Sequence, residues 1–260
     1  MVLKVMSKPV TLIMGLGRDV GTACARRCLE AGHDVLVADH REDLIDTIEK
    51  DYNEKLATYH GDLTTKLGIK NCFSAAEEQF GRMDNLVIIP AINPPITLAN
   101  LDMSTLDKAV KSTIRGSVLA VKLFYQGLLE QAEEEAGAGI ERKRQKATIT
   151  FIMSSVSHQA QPGRFLESIS QNAISGLIRA SAVELAENRI RCNGIASLRP
   201  RAQEEEPWLK ERTPLRRAAL ADEIAEALLY LVSPAAAIVT GQILTLDGGR
   251  SILSGALEEF

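Results

Sequence analysis

The sequence predicts a single α/β domain with a doubly wound parallel sheet that is covered by helices on both faces. Three observations predict it: strand-like runs alternate with helical patterns, those runs are apolar throughout, and the first run ends in a glycine-rich turn. Strands that are apolar on both faces are typical of parallel sheets buried between two helix layers. A length of 260 residues fits one large domain of this class, so we expect residues 1–260 to form a single domain.

Strands and helices alternate along the chain in the order that such a sheet requires. The first unit is a strand at 10–14, a glycine turn at 15–21, a helix at 23–31 and a strand at 34–39, joined by a right-handed crossover. Further strands are predicted at 56–60, 85–89, 147–153, 190–196 and 242–247, and further helices at 67–80, 105–135, 165–187 and 221–232. Two segments interrupt the pattern: 131–146 is predicted as an exposed helix end with a surface loop, and 197–213 as an irregular connection.

Composition and charge argue against several classes of partner. With a net charge of −4 and a pI of about 5.7, the chain has no excess of positive charge to attract nucleic acid or an anionic membrane. No run approaches the roughly 18 apolar residues of a membrane-spanning helix, and residues 1–9 lack an apolar run of signal-peptide length, so we expect a cytoplasmic protein. The cysteines, Cys24, Cys28, Cys72 and Cys192, lack a metal-binding spacing, so we expect buried thiols and no bound metal.

Four segments in the last third of the chain carry a resemblance to a known family. They are NRIRCN at 188–193, PLRR at 214–217, ADEIAEALLYLV at 221–232 and VTGQILTLDGG at 239–249. Together with the glycine turn, their order and spacing resemble the short-chain dehydrogenase/reductase family over residues 10–251. The resemblance implies a Rossmann-type fold that binds NAD(P), and a set of Asn, Ser, Tyr and Lys that transfers hydride to or from an alcohol or carbonyl.

The glycine turn departs from the family pattern at one position. The family has Gly-x-x-x-Gly-x-Gly; Gly15 and Gly21 match its outer glycines, Asp19 replaces the middle one, and Gly17 is an additional glycine. In such a turn the glycine backbone and the helix N-terminus approach the pyrophosphate closely. A carboxylate about 4–5 Å from a phosphate charge repels it by roughly 3–4 kcal/mol. We therefore expect impaired binding, unless Asp19 turns into solvent or caps its helix.

Other positions of the implied dinucleotide site are partly kept. Asp39, at the end of the second strand, matches the acidic residue that hydrogen-bonds the adenosine ribose and favours NAD over NADP. Asp62, in the segment Gly-Asp-Leu-Thr, matches the family position near the adenine. After the fourth strand, however, Pro90 falls in the family's Asn-Asn-Ala-Gly segment and removes a backbone donor. We expect that no cofactor is bound, or that NAD is bound weakly.

The implied catalytic set is altered as well. The Asn, Ser, Tyr and Lys positions of the family fall on Thr113, Ser155 or its neighbour Ser154, Glu167 and Gln171. A shift of one residue gives Ser168 and Asn172 for the last two, and no tyrosine in the sequence has a lysine four residues later.

Alcohol oxidation needs a base for the hydroxyl proton. In the family this base is a tyrosine whose pKa, about 10 when unperturbed, is lowered by the neighbouring ammonium. A glutamate, with an ordinary pKa of about 4.3, is a weak base for this task unless burial raises that pKa. A glutamine carries no charge with which to stabilise a tyrosinate. The serine, without these partners, is then interpreted as a remnant of the site.

These departures favour a non-catalytic member of the family, one that assembles with and supports an active NAD-dependent alcohol dehydrogenase paralogue. The pattern is similar to that of heteromeric family members in which a degenerate subunit accompanies an active one, among them a 2-(hydroxybenzyl)succinyl-CoA dehydrogenase. Two alternatives stay open. One is an active NAD-dependent oxidoreductase with a rearranged site and Glu167 as general base. The other is a dinucleotide-sensing regulator that binds NAD through Asp39 and Asp62 without turnover.

The two long central helices are predicted to form the interface with the partner. In 165–187, one apolar stripe runs along Leu166, Ile169, Ala173, Leu177 and Ala180, and a second along Ile174, Ile178, Ala182 and Leu185. A helix that covers a sheet needs one apolar stripe, so the surplus indicates a second burial partner, or else burial under the segment 131–146. In the family, the corresponding helices pair about a two-fold axis. We therefore expect a hetero-oligomer of four chains, formed through 105–135 and 165–187.

Overall fold

The apolar runs form the strands of one parallel sheet in the computed structural model, which describes residues 8–17, 19–52, 56–137, 147–198 and 211–255. The strands are β1 (Val10–Met14), β2 (Asp34–Asp39), β3 (Ala57–His60), β4 (Asn85–Ile88), β5 (Ala147–Ser154), β6 (Ile190–Ser197) and β7 (Ile243–Leu246). They lie in the order β3-β2-β1-β4-β5-β6-β7, and each neighbouring pair is parallel. The predicted doubly wound, Rossmann-type single-domain fold is thereby confirmed.

Helices connect the strands and cover both faces of the sheet. They are α1 (Val20–Glu30), α2 (Glu42–Tyr52), α3 (Lys66–Phe80), α4 (Met103–Ala109), α5 (Gly116–Gly137), α6 (Phe165–Glu184) and α7 (Ala221–Val232). Side chains of α3, α5 and α6 form one buried apolar cluster with the sheet, and side chains of α1, α2 and α7 form a second. Leu12 belongs to the first cluster and Ile13 to the second, because successive side chains of a strand point to opposite faces.

The strand order reverses direction between β1 and β4. These two strands are hydrogen-bonded neighbours, although the chain builds β2 and β3 before it returns to form β4. The loop after β1 therefore leads to one side of the sheet and the loop after β4 to the other. The divergence leaves a crevice outside the carboxyl ends of the two strands, which is where open α/β sheets bind their ligands.

The helix α2 is missing from the elements predicted above. Its apolar side chains at Ile45 and Ile48 are buried, and two acidic residues, Glu42 and Asp43, occupy its first turn. Acidic side chains at that end interact favourably with the helix dipole. Leu44 and Tyr52 pack against the same apolar cluster as Ile45 and Ile48, so the segment does have the apolar spacing of an amphipathic helix, although no helix was predicted there.

The predicted helix 105–135 consists of three consecutive segments. α4 begins two residues earlier than predicted, because the Asp102 carboxylate accepts a hydrogen bond from the Thr105 backbone N–H at 2.9 Å and caps the helix. A π turn, Val110–Arg115, follows, and α5 then continues to Gly137. Wide turns of this kind frequently occur at functional sites. The predicted loop at 138–146 and most of the predicted connection, 199–210, lie outside the described residues.

All four cysteines are buried thiols, as predicted, and burial raises the pKa of Cys28, Cys72 and Cys192 to about 12. Within the described ranges, no three His, Cys, Asp or Glu side chains lie close enough together to hold a metal ion. In the same ranges, no helix has both the length and the hydropathy needed to span a membrane.

Candidate functional site

A cavity of about 950 Å³ opens at the carboxyl ends of the central strands. Its walls come from the glycine turn after β1, from the residues after β2, β3, β4 and β5, and from the start of α5 and α6. The volume lies within the range of about 300–1,000 Å³ that is usual for small-molecule and cofactor sites. The cavity coincides with the crevice between β1 and β4, so both the fold and the free volume indicate one ligand site.

The described residues of the glycine turn include positions that require glycine. Gly15 and Gly17 have φ angles of +89° and +53°, a region that side chains rarely adopt. A Cβ atom on Gly15 would lie 2.5 Å from the Ile89 carbonyl oxygen, and one on Gly21 would lie 2.5 Å from that of Leu16. Gly15 and Gly17 line the cavity, whereas Gly21 serves the packing of the turn, where its N–H donates to the Leu16 carbonyl at 2.8 Å.

Asp19 stands at the rim of the cavity without strain. Its backbone has a φ of −103°, which any residue can adopt, and it occupies the cap position of α1. The side chain is exposed and makes no capping hydrogen bond, so the helix-capping alternative is wrong. Its contact with solvent weakens the repulsion expected between this carboxylate and a phosphate, without removing it. Asp19 nevertheless lines the cavity. A carboxylate therefore lies at the helix N-terminus, where the positive end of the helix dipole would otherwise attract an anion.

At the end of β2, Asp39 is engaged within the protein. The residue is only 1% exposed. One carboxylate oxygen accepts the Leu16 backbone N–H at 2.7 Å and the Arg41 Nη2 at 3.0 Å, while the other accepts the Arg41 backbone N–H at 3.0 Å and its Nε at 3.1 Å. Burial of the carboxyl group raises its pKa, but these hydrogen bonds from Arg41 and Leu16 outweigh burial and hold the pKa of Asp39 below its usual range.

Asp62 lines the cavity as an exposed side chain, and its place near an adenine stays a prediction. Its Oδ1 accepts hydrogen bonds from the Thr64 hydroxyl at 2.7 Å and from the Thr64 backbone N–H at 2.8 Å. Both hydrogen bonds lower the pKa of the Asp62 carboxyl. The carboxylate thus shapes its own turn, and its second oxygen has no hydrogen bond to another described residue.

The two residues predicted to take the family's tyrosine and lysine positions, Glu167 and Gln171, lie one turn apart on α6. Glu167 is fully buried in the cavity wall, and its Oε2 accepts the Asn93 backbone N–H at 2.8 Å. Gln171 is 1% exposed, and its Oε1 accepts the Ser154 backbone N–H at 3.1 Å. The two side chains therefore attach α6 to the loop after β4 and to the end of β5. The structure places Glu167 and Gln171 together, as predicted, and gives both of them hydrogen bonds to the main chain.

Of the residues predicted for the remaining two positions, Ser154 lies on the cavity wall, and Ser155 and Thr113 do not. Of the two candidate serines, Ser154 lines the cavity, whereas Ser155 is buried. Ser154 is the last residue of β5, and Ser155 starts a 3-10 turn that directs it into the interior. Thr113 lies in the π turn and is fully buried, and its hydroxyl has no hydrogen-bond partner among the residues described. Its neighbour Ser112 lines the cavity instead.

Two residues of the site were missed in the sequence. Asn93 is 6% exposed, and besides its hydrogen bond to Glu167 it donates from Nδ2 to the Ser170 hydroxyl at 3.0 Å. Asn93 is separated along the chain from Glu167 by 74 positions and from Ser170 by 77, and no short motif indicates contacts over such separations. Arg41 follows Asp39 by two positions, and a basic residue so close to the ribose position was the available signal.

These features divide the cavity into parts that fit a nicotinamide dinucleotide and parts that do not. Asp39 and Asp62, predicted for the adenosine end, and the glycines Gly15 and Gly17 all line the cavity. Asp19 and Pro90 also line the cavity, where a carboxylate would repel a pyrophosphate and a proline offers no backbone N–H to a ligand. The residues therefore fit the adenosine half of the ligand and disfavour the other half.

Removing the charge of Asp19 should strengthen the binding of a nicotinamide dinucleotide. We expect Asp19→Asn to lower the Kd about tenfold. Removal of a buried charge would have a larger effect, because water and ions screen an exposed carboxylate. Asp19→Gly should lower the Kd further, since it also frees space beside the phosphates. Titration calorimetry of the three proteins checks this, with Asp46→Asn, on the exposed face of α2, as the control. Equal affinities in all four proteins would contradict it.

Comparisons with known proteins agree with this geometry. A family model described as enoyl-(acyl carrier protein) reductase matches residues 15–251. Short-chain dehydrogenase reductase 3b of Arabidopsis thaliana is 26% identical over 258 residues, which cover 94% of this chain and 96% of the relative. The 2-(R)-hydroxypropyl-CoM dehydrogenase of Xanthobacter autotrophicus is 28% identical over 260 residues, with coverages of 94% and 99%.

Solved structures share the fold. The 3-ketoacyl-(acyl-carrier-protein) reductase of Brucella melitensis, complexed with NADH, superposes with a TM-score of 0.80 at 24% identity and covers 94% of this chain and 98% of its own. A short-chain type dehydrogenase/reductase of Mycobacterium marinum gives a TM-score of 0.82 at 21% identity, with coverages of 94% and 95%. Since the family model spans most of the sequence and the sheet, the glycine turn and the cavity agree with it, the chain belongs to the short-chain dehydrogenase/reductase family.

Proposed function

We propose that this chain is a non-catalytic member of the family, which assembles with an active paralogue and supports its NAD-dependent alcohol dehydrogenase activity. One observation carries the proposal: Glu167 and Gln171, at the positions of the base and its ammonium, are buried and hydrogen-bonded to backbone N–H groups. Residues that hold the main chain in place in this way serve the fold. They supply neither a tyrosinate nor a positive charge for hydride transfer.

The hydrogen bond of Glu167 bears directly on its use as a base. A substrate hydroxyl needs to approach a carboxylate oxygen to within about 2.6–3.2 Å. Oε2 already accepts the Asn93 N–H at 2.8 Å, and the glutamate is fully buried. That oxygen keeps a second lone pair, but Glu167 has no accessible surface, so a hydroxyl could reach the carboxylate only if the surrounding cavity wall moved.

Two other functions are supported by specific observations. The names of the relatives describe dehydrogenases and reductases, and Glu167 lines the cavity, so an active oxidoreductase with a rearranged site is the second candidate. The glycine turn keeps positions that require glycine and the cavity is open at its adenosine end, which favours the third candidate, a regulator that binds a dinucleotide without turnover. A turnover assay of the purified chain distinguishes an active oxidoreductase from a non-catalytic subunit. A dinucleotide titration distinguishes a dinucleotide-binding regulator from a subunit that binds no dinucleotide.

The surface of the central helices supports the assembly part of the proposal. On α6, Ile174, Ile178 and Ala182 are buried against the sheet, whereas Ile169 on the other apolar stripe is 43% exposed. On α5, Val118 is likewise 44% exposed. Leu166 and Leu177 of the same stripe of α6 are buried or half-buried, so the surplus apolar face that the sequence indicates is open only in part in the single chain. Two such helices from each of two subunits would bury one another's outer stripes.

Native mass spectrometry of material purified from the source organism tests the assembly. We expect this chain in a complex of four chains together with a second, active family member. Ile169→Arg should release it from the complex, because a charge would be buried in an apolar interface. The control is Leu67→Arg, a charge on an exposed apolar residue of α3. Recovery of the chain solely as a monomer, or as a fully active homo-oligomer, would rule the proposal out.

A further inference from the structure

The cavity extends to the ends of β5 and β6, away from the residues predicted for the adenosine. The strand order places the ends of β2 and β3 on one side of the glycine turn and those of β5 and β6 on the other. Asp39 ends β2 and Asp62 follows β3, whereas Val156 follows β5 and Leu198 follows β6, and all four residues line the cavity. The β5–β6 end can therefore hold a ligand that does not touch the adenosine positions.

The wall at the β5–β6 end is largely apolar. Its apolar lining residues are Ile92, Pro94, Pro95, Val156 and Leu198. Ile92 is 49% exposed, so part of this apolar surface is in contact with water. Pro94 and Pro95 carry no backbone N–H, and the N–H of Asn93 is already donated to Glu167 at 2.8 Å. Such a wall favours the apolar body of a ligand, because contact with it removes apolar surface from water.

One arginine stands beside this apolar wall. Arg164 is half-buried, lines the cavity and immediately precedes α6. Its backbone is held in place, since it forms a parallel bridge with Ile96 and its N–H donates to the Gln161 carbonyl at 3.1 Å. In the part of the chain that the structure describes, no hydrogen bond or ion pair engages the Arg164 side chain, whereas the cavity's other arginine, Arg41, is paired with Asp39. A guanidinium with unused donors beside apolar surface matches an oxyanion.

The groups around Arg164 leave room for such an anion. Glu167, in the first turn of α6, is the opposing charge at this end, but it is fully buried and its Oε2 accepts the Asn93 N–H. No side chain caps the start of α6, so the positive end of the helix dipole lies on the same wall as Arg164. Gln161 also lines the cavity and adds an uncharged amide.

We propose that the β5–β6 end of the cavity binds small organic acids, with their apolar body against Ile92 and Val156 and their carboxylate on Arg164. Neither part of the wall is sufficient alone: the apolar residues supply affinity, and the guanidinium supplies the preference for an anion. The inference goes beyond the proposed function, because the chain would bind an organic acid without converting it.

Titration calorimetry of the purified full chain tests the two parts of the ligand separately. The probes are 3-phenylpropionate, its uncharged amide 3-phenylpropionamide, and acetate, which has the carboxylate without the apolar body. We expect 3-phenylpropionate to bind about tenfold or more tightly than either of the others, with a preference over the amide that shrinks at high salt. Equal affinities for the acid and its amide, or no binding of the acid, would overturn the proposal.

Variants locate the carboxylate. Arg164→Gln should reduce the affinity for the acid to that for the amide, and Arg164→Lys should retain part of the preference, because an ammonium keeps the charge but not the planar fork. Arg179→Gln is the matched control, since Arg179 is exposed on the same helix and lies outside the cavity wall. Ile92→Ser should weaken the acid and the amide by the same factor, because Ile92 contacts the apolar body.

A preference for the acid that survives Arg164→Gln, or that is lost equally in Arg179→Gln, would also overturn the proposal. The result is independent of the proposed function. Turnover by the chain would contradict that function and leave the binding of the acid unchanged, whereas a chain that assembles with its paralogue but binds no acid would contradict this inference alone.

Discussion

The purified chain on its own should transfer hydride at least about a thousandfold more slowly than a family member that has the tyrosine and the lysine, assayed in parallel. A positioned general acid or base contributes about 10²–10⁴ to a rate, and here the groups at both positions are a buried glutamate and an uncharged glutamine. Steady-state assays with secondary alcohols and ketones, each with NAD(H) and NADP(H), measure the rate. Addition of the active partner should restore turnover to the mixture.

The variant Glu167→Gln makes that result interpretable. If the residual rate is only background, Glu167→Gln leaves it unchanged, and so does Glu184→Gln, a control at the exposed end of α6. A rate within about tenfold of the active relative that is lost in Glu167→Gln and kept in Glu184→Gln would contradict the proposed function. It would assign the general base to Glu167 and make the chain an active oxidoreductase with a rearranged site.

Gly21→Ala should lower the free energy of unfolding by about 3 kcal/mol, at the upper end of the usual effect of overpacking. A Cβ atom there would lie 2.5 Å from the Leu16 oxygen, 2.6 Å from its Cα and 2.8 Å from its carbonyl carbon. These are backbone atoms of the turn, so no side-chain rotation relieves the contact. The turn would have to move away from α1, breaking the hydrogen bond from the Gly21 N–H to Leu16.

Gly176→Ala is the matched control, because Gly176 is also a helical glycine and a Cβ atom there meets no atom within 4 Å. Alanine at this position should raise the free energy of unfolding by about 0.5–1 kcal/mol through helix propensity. Urea unfolding followed by circular dichroism measures both variants. Similar midpoints for the two would contradict the steric explanation. The expected contrast gives Gly21 a structural role that does not depend on a ligand, because the close approach of α1 to Leu16 leaves no space for a Cβ atom.

Within the site, the sequence was informative about residue identity and less so about contacts. It predicted that Glu167 and Gln171 occupy the tyrosine and lysine positions, since the motif around them is local and their spacing places both on one face of α6. It did not predict that their partners are the backbone groups of Asn93 and Ser154, which approach from other elements of the fold. The choice between Ser154 and Ser155 depended in the same way on where β5 ends.

The sequence by itself determined the succession of strands and helices along the chain, the parallel sheet and the family resemblance. Apolar runs, glycine spacing and the C-terminal motifs are local patterns, so they can be recognised without the structure. The helix α2 was not predicted, although its apolar residues at 44, 45, 48 and 52 have helical spacing. Only the tertiary structure decided that Asp19 is exposed at the cavity rim, and that Asp39 is buried and saturated by Arg41 and Leu16. Whether a carboxylate meets a ligand or another part of the protein depends on side-chain directions and on contacts between distant elements, and residue spacing along the chain does not encode these.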